Sequence, residues 1–379
     1  MRGENKLQVC YQDYTVGILA QTENKKIAFA YSEEWLKNGF AISPFSLPLE
    51  KKVFVPTKYW FDGLFGVFAD SLPDAWGNIL LNRVLKKEGI DIGQVNTLDR
   101  LAIVGNSGMG ALTYHPAKEF TLVDTELDLD ELAKLCSRIL NAEEVQNLDE
   151  LYLLGGTSGG ARPKIMTHLD KEDWIIKFPT HSDGKDIGKM EFEYAECAKS
   201  CGICMPETRL LSSDICPGYF AVKRFDRIGK VDQGSQKRIH MLTVAAILEL
   251  DFRQPNLDYH TLMKLTKVLT RNNKGELEEM YRRMCFNIYA HNRDDHSKNF
   301  SFLYDELTDS WSLSPAYDLT YSNTYYGEHT TTVDGNGRTP GMKELVSVGV
   351  QAGLKKSWCE QISKEIAQCV QDRLDFWLK

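Results

Sequence analysis

Apolar and polar residues repeat with two different periods along this chain. Val16–Ala20 and Ile27–Tyr31 are apolar runs on either side of polar Gln21–Lys26, which predicts a β-hairpin. Ser32 followed by Glu33-Glu34-Trp35-Leu36 and then Gly39 predicts a short capped helix. Pro44, Pro48 and Pro56 break the next stretch, and helical spacing returns at Ile79, Leu80, Val84 and Leu85, ending at Gly89. A further helix is expected over Asp128–Leu140. Ile165–Leu169 and Trp174–Phe178 predict an antiparallel pair around the turn Asp170–Asp173, and Tyr219–Asp226 a strand running into a polar turn. From Ile239 onward the period becomes helical: Leu277, Met280, Tyr281, Met284, Cys285 and Ile288 share one face, as do Trp358, Ile362, Ile366, Val370, Leu374 and Trp377. Phe300–Leu303 and Trp311–Leu313 interrupt this with two short strands. Tyr321–Gly341 is polar and reads as a mobile or substrate-facing loop.

Composition narrows the class. With 379 residues, about 2–3 domains are expected. Boundaries are placed to give 1–150, 151–226 and 227–379. A net charge of −8 argues against broad nucleic-acid binding by this chain alone. Nine scattered cysteines, an odd number, fit reduced thiols rather than a disulfide framework. Neither a signal-peptide pattern nor a membrane span is visible, so a cytoplasmic protein is expected.

The densest chemistry lies in 291–319. Arg293-Asp294 is followed by Asn299, then a hairpin, then Asp318. Phosphotransferases of the kinase type order their groups this way. The first Asp accepts a proton from the substrate hydroxyl, and the Asn and second Asp reach the metal on the nucleotide phosphates. A metal hydrolase using His291, Asp294, Asp295 and His296 is the competing reading, although histidines five apart do not share a helix face.

Upstream, Gly155-Gly156-Thr157-Ser158-Gly159-Gly160-Ala161-Arg162-Pro163-Lys164 matches neither a Walker A nor a Gly-x-Gly-x-x-Gly pattern. It does precede an antiparallel pair with Lys177 in its second strand, the outline of a nucleotide-binding lobe. Lys177 has apolar neighbours and needs an anion: a phosphate, or the carboxylate of Glu191 or Glu193 on the following helix. Lys223, Arg224 and Phe225 fall where a hinge would hold adenine through its backbone. Cys197, Cys201 and Cys204 have a spacing compatible with a cluster, but are read as packing thiols.

Taken together, these motifs resemble the HipA family of bacterial serine/threonine kinases, the toxins of type II toxin–antitoxin modules. Leu72-Pro73-Asp74-Ala75-Trp76-Gly77 is similar to the family's N-terminal signature, Gly155–Lys164 to its phosphate loop, Lys223–Arg227 to its hinge, and Asn292–Asn299 with Tyr317-Asp318 to its catalytic and metal-binding segments. The resemblance implies an α+β, two-lobed protein-kinase-like fold. A β-rich N-lobe and an all-helical C-lobe would follow an N-terminal HipA-type α/β subdomain. It implies ATP and Mg²⁺ as cofactors, with Asp294 catalytic and Asn299 and Asp318 on the metal. Thr157, Ser158, Gly159, Gly160, Ala161, Arg162, Lys164, Lys177, Lys223, Arg224, Phe225, His296, Lys298, Asn299 and Asp318 would surround the nucleotide. Glu191 would pair with Lys177, and Thr157 or Ser158 would be autophosphorylated. The implied partners are a protein substrate such as an aminoacyl-tRNA synthetase or another translation protein, and a helix-turn-helix antitoxin through which DNA would be met. A nucleotide-binding pseudokinase scaffold and a small-molecule kinase are the alternatives.

Overall fold

The computed structural model describes residues 5–117, 128–143, 145, 148–156, 159–180, 183–230, 236–324 and 326–379. The chain divides into two compact units. The first comprises Met1–Gly188, Leu211–Leu242 and Ala246–Glu249; the second comprises Lys189–Leu210, Thr243–Ala245 and Leu250–Lys379.

In the first unit an antiparallel sheet runs in the order Val53–Phe54, Ile27–Tyr31, Tyr14–Gln21, Lys6–Tyr11, Leu112–His115. The expected hairpin is its centre. Its neighbour Lys6–Tyr11 was not anticipated, although Leu7, Val9 and Tyr11 alternate and all three are buried. The register pairs Leu19 with Phe29, both fully buried, and turns Ile18 outward beside Ala30.

A second antiparallel set joins Lys164–Leu169, Glu172–Lys177 and Tyr219–Lys223. Its first turn places Asp170 and Lys171 at φ 52° and 67°, the two consecutive left-handed residues that a tight hairpin needs. Trp174 and Ile176 point inward and are buried. They share one core with Trp76, Leu80, Leu81 and Val84 of the helix Ala75–Lys87, with Leu132 and Cys136 of Leu129–Leu140, and with Leu151 and Tyr152. Each buried Leu or Ile there contributes about 1.5–3 kcal/mol. This apolar core runs across residue 150, so the expected boundary there falls inside one compact unit.

Helices carry the second unit: Tyr259–Leu269, Lys274–Tyr289, Met342–Ala352 and Lys356–Leu378. Asn273 caps the second of these, accepting from the Gly275 and Glu276 amides. Gly349 lets helices approach closely, since a Cβ there would lie 2.6 Å from both Cys359 Sγ and the Tyr281 ring. The expected hairpin forms from Ser301–Asp305 and Ser310–Leu313, with Phe302 opposite Leu313. A short parallel pair, Leu257–Asp258 with Thr331–Thr332, was not anticipated. No helix among the described residues is long and apolar enough to cross a membrane.

Candidate active site

The helix Lys274–Tyr289 ends at its cap Ala290, and His291 then turns the chain with φ 52°. The loop that follows is held together by its own polar groups. Asn299 Nδ2 donates to the Asp294 carbonyl at 2.7 Å, which closes the Asp-x4-Asn segment into a ring. The Asp294 side chain is 56% exposed, with a carboxylate oxygen 3.8 Å from His296 Nε2. His296 Nδ1 accepts from the Lys298 amide at 3.2 Å, so in the neutral ring the proton sits on Nε2, facing Asp294. Phe252 supports both neighbours: the His296 ring lies 5.5 Å from it and Lys298 Nζ 4.5 Å.

Asp318 stands beyond the hairpin at φ 52°. The Lys298 carbonyl accepts from Tyr317 Oη at 2.7 Å, and Asn292 Nδ2 approaches the Asp318 carbonyl at 3.5 Å. The second unit therefore gathers Asp294, His296, Lys298, Asn299 and Asp318 on two segments cross-linked by hydrogen bonds. Carboxylate and amide oxygens such as those of Asp318 and Asn299 suit a hard cation like Mg²⁺.

Asp295 is a residue whose role the sequence did not reveal. It is fully buried and accepts from Tyr259 Oη at 3.0 Å, from the Thr331 amide at 3.0 Å and from His329 Nδ1 at 3.2 Å. Tyr259 in turn accepts from Asn287 Nδ2 at 2.9 Å. Burial, then the Asp295 charge, push the Tyr259 hydroxyl well above its ordinary pKa, so it stays a donor. The Thr331 hydroxyl donates to the Asp295 carbonyl, and the Thr330 amide to the Arg293 carbonyl at 3.0 Å. The polar stretch expected to be a mobile or substrate-facing loop thus includes a segment, 329–332, that laces the candidate loop 293–295 in place. The metal-hydrolase set is dispersed, because Asp295 faces inward.

In the first unit the Gly-rich segment is clamped by the Leu72–Gly77 signature. Asp74 caps the helix Ala75–Lys87 by position, but its Oδ2 accepts from the Gly160 amide at 3.0 Å. Trp76 donates through its backbone to the Gly160 carbonyl at 3.3 Å and through its indole to the Lys164 carbonyl at 3.1 Å. Gly77 is needed for this approach, as a Cβ there would lie 2.2 Å from the Gly156 carbonyl oxygen. Gly159 and Ala161 are exposed, Gly160 takes φ 87°, and buried Lys164 donates its ammonium to the Gly159 carbonyl. Arg162 pairs with Asp183 at 3.3 Å. Thr157 and Ser158, with the expected autophosphorylation site, lie outside the described residues.

Lys177 is half-buried, with Nζ 5.6 Å from the Phe220 ring centroid. It belongs to the first unit, and its expected partner Glu191, buried, to the second. At the expected hinge, Lys223 pairs with Glu172 at 2.6 Å. The Arg224 amide donates to the Asp173 carbonyl at 2.8 Å. The Arg224 side chain is buried and forks onto Asp226 at 2.9 and 2.8 Å, so its guanidinium is a structural group, and the expected hinge contact at this position would fall to its backbone. Burial alone would raise the Asp226 carboxyl, but Arg224 and Arg227 pull it below the usual carboxylate range. The Gly110 amide also donates to Asp226, at 2.8 Å, and Arg227 donates to the Gly108 and Gly110 carbonyls. Gly108 and Gly110 are therefore pinned by an internal ion network. Phe225 lies between the two arginine-bearing positions in sequence.

The HipA-like C-terminal domain matches residues 156–374 and the HipA N-terminal domain residues 7–115. This chain belongs to the HipA family. Over 175 residues, 42% of the chain, it is 27% identical to the putative kinase Y4dM of Sinorhizobium fredii (strain NBRC 101917 / NGR234), a match spanning only 40% of that relative's length. It is 24% identical to the putative kinase Y4mE of the same organism over 350 residues, 83% of this chain and 76% of that one. A solved structure of the Shewanella oneidensis MR-1 toxin–antitoxin system, HipA with HipB and its operator DNA, is similar with a TM-score of 0.71 at 18% identity. That likeness covers 97% of this chain and 90% of the other, and at this identity it is a likeness of fold.

Proposed function

We propose that this chain is a protein kinase that transfers the γ-phosphoryl group of Mg-ATP to a serine or threonine hydroxyl. The observation that carries this reading is the Asp294–Asn299 ring: an exposed carboxylate on a residue whose backbone carbonyl is held by the side-chain amide that would ligate the metal through its oxygen. Asp294 would align the acceptor hydroxyl and take its proton. Asn299 and Asp318 would hold Mg²⁺, which supplies charge neutralisation on the phosphates. His296 and Lys298 would offer donors to the transferring group. Gly159, Gly160 and Ala161 would give the phosphates a closely approachable backbone, Lys177 would contact the α- and β-phosphates, and Lys223 and Phe225 would meet adenine through main-chain groups.

The family and the toxin–antitoxin neighbour support a toxin held by a helix-turn-helix antitoxin, with operator DNA contacted through that partner. We also propose self-silencing by a phosphoryl group on Thr157 or Ser158, whose negative charge would compete with the nucleotide phosphates. The test is incubation of the purified chain with labelled ATP, Mg²⁺ and a cell lysate, alongside Asp294→Asn. Label on a discrete protein, absent with the variant, is expected. Nucleotide binding without transfer to any acceptor would identify a scaffold instead, and label confined to a small molecule a metabolite kinase.

A further inference from the structure

Three thiols meet in the second unit, outside the residues assigned to phosphoryl transfer. Cys197 stands on the helix Ile187–Ser200 and Cys201 in the turn directly after it, its amide donating to the Cys197 carbonyl at 3.0 Å, and Cys369 comes from the helix Lys356–Leu378. Their sulfurs all lie within 4.8 Å of one another. Cys197 is fully buried, Cys201 is 6% exposed and Cys369 is half-buried. The Cys197 thiol donates to the Cys369 carbonyl at 3.8 Å, so the contact between the two helices runs through these residues. The sequence pointed to a different trio. Cys204 is exposed and is not a member of the cluster. Cys369, 165 or more positions away in the chain, takes its place.

We propose that Cys197, Cys201 and Cys369 form a binding site for a thiophilic closed-shell cation, Zn²⁺ or Cu⁺.

Three observations support it. First, the dimensions fit. Sulfurs bonded to one such ion at about 2.3 Å stand about 3.8–4.0 Å apart, so the cluster needs only small side-chain rotations to close on an ion. Second, the donor set is all sulfur, which selects soft cations over Mg²⁺ and keeps this site chemically distinct from the oxygen donors Asp318 and Asn299. Third, charge and access are provided for. Arg373, one turn beyond Cys369, acts electrostatically on both Cys197 and Cys369 and offsets the negative charge of a thiolate set. Half-buried Cys369 leaves a side open for ion entry and for water as a fourth ligand to Zn²⁺.

Binding would replace three S–H protons by one cation, releasing those protons to solvent, with no change of oxidation state. It would tie the helix Ile187–Ser200 to the helix Lys356–Leu378. A disulfide is a weaker reading, because three sulfurs converge here and a disulfide uses two.

The test uses the full chain, reduced and handled without oxygen. Zn²⁺ and Cu⁺ are titrated in separate arms against a chromophoric chelator, and Co²⁺ serves as a spectroscopic substitute for Zn²⁺. One ion per chain is expected in at least one arm, with thiolate-to-cobalt charge-transfer absorption if Zn²⁺ is the ion. Metal should also protect Cys369 from alkylation, read by mass spectrometry on the wild-type chain. Cys369→Ser, at a half-buried position, should keep its circular dichroism and lose stoichiometric binding, while Cys204→Ser should bind like the wild type. Binding of neither ion, binding that survives Cys369→Ser, or loss of two thiols to a disulfide without metal uptake would overturn the proposal.

Discussion

Asp294 and Asp295 are adjacent in the chain and face opposite ways: the Asp294 side chain is 56% exposed, whereas Asp295 is fully buried against Tyr259, His329 and Thr331. In the proposed function the first carboxylate would meet a reactant, while the second holds the loop that carries both.

The two acids therefore fail differently when changed. Asp294→Asn should lower phosphoryl transfer by about 10²–10⁴-fold, the usual worth of a positioned proton acceptor. Mg-ATP binding should persist, because Asn299 and Asp318 are untouched. Asp318→Ala should weaken Mg-ATP binding as well. Calorimetric titration beside single-turnover transfer separates the two, and wild-type turnover by Asp294→Asn would contradict its assigned role.

Asp295→Ala removes the acceptor shared by three donors in a dry environment, leaving them unsatisfied at a cost of about 3 kcal/mol. A lowered urea midpoint is expected, with turnover falling although Asp294 is intact. Asp295→Asn keeps the shape but turns donors towards donors, so it should be only partly better. An unchanged midpoint would show that water or rearrangement satisfies the network.

Asp74→Ala should loosen the Gly-rich segment by freeing the Gly160 amide. Nucleotide affinity should drop about tenfold, in line with a lost charge-assisted hydrogen bond of roughly 1.5 kcal/mol. The helix Ala75–Lys87 should lose little, because the Asp74 side chain makes no capping hydrogen bond to it. Equilibrium binding of a fluorescent ATP analogue, with thermal unfolding as control, checks both halves.

Gly77→Ala should destabilise the first unit by about 1–3 kcal/mol, because the new methyl group meets backbone rather than a movable side chain. Chemical unfolding measures this directly. Gly89→Ala provides a comparison at which space is open, though its φ of 70° still strains a side chain.

His240 gives a pH dependence of defined sign. It is fully buried against the Tyr11 and Phe40 rings, with Nε2 2.8 Å from the Ile42 carbonyl oxygen. Burial pushes its pKa down to about 4, against a partial upward pull from that hydrogen bond. The unfolded chain then binds a proton near pH 6.5 that the folded chain refuses until about pH 4. Stability is retained above that window and falls as pH drops through it, by about 3 kcal/mol in full. His240→Gln, which can still donate to Ile42, should flatten this slope in urea midpoints measured from pH 7 to pH 4.

Much of this molecule can be read from local pattern. The hairpins and the helical second half follow from spacing, and so does the candidate set Asp294, Asn299 and Asp318, because strand and helix periods and loop chemistry act over a few residues. Three features depended on residues far apart in the chain. The clamp of Asp74 and Trp76 on the Gly-rich segment spans more than 80 positions and merges two expected domains into one core. The 329–332 stretch looked like solvent-facing loop because its residues are polar, yet buried polar groups that satisfy one another are indistinguishable in sequence from polar groups that meet water. The cysteine spacing named Cys204, whereas packing of two helices supplies Cys369. Local preference decides what each segment becomes. Only the packed chain decides which face of it is dry, and so which of two neighbouring aspartates is buried and which is exposed.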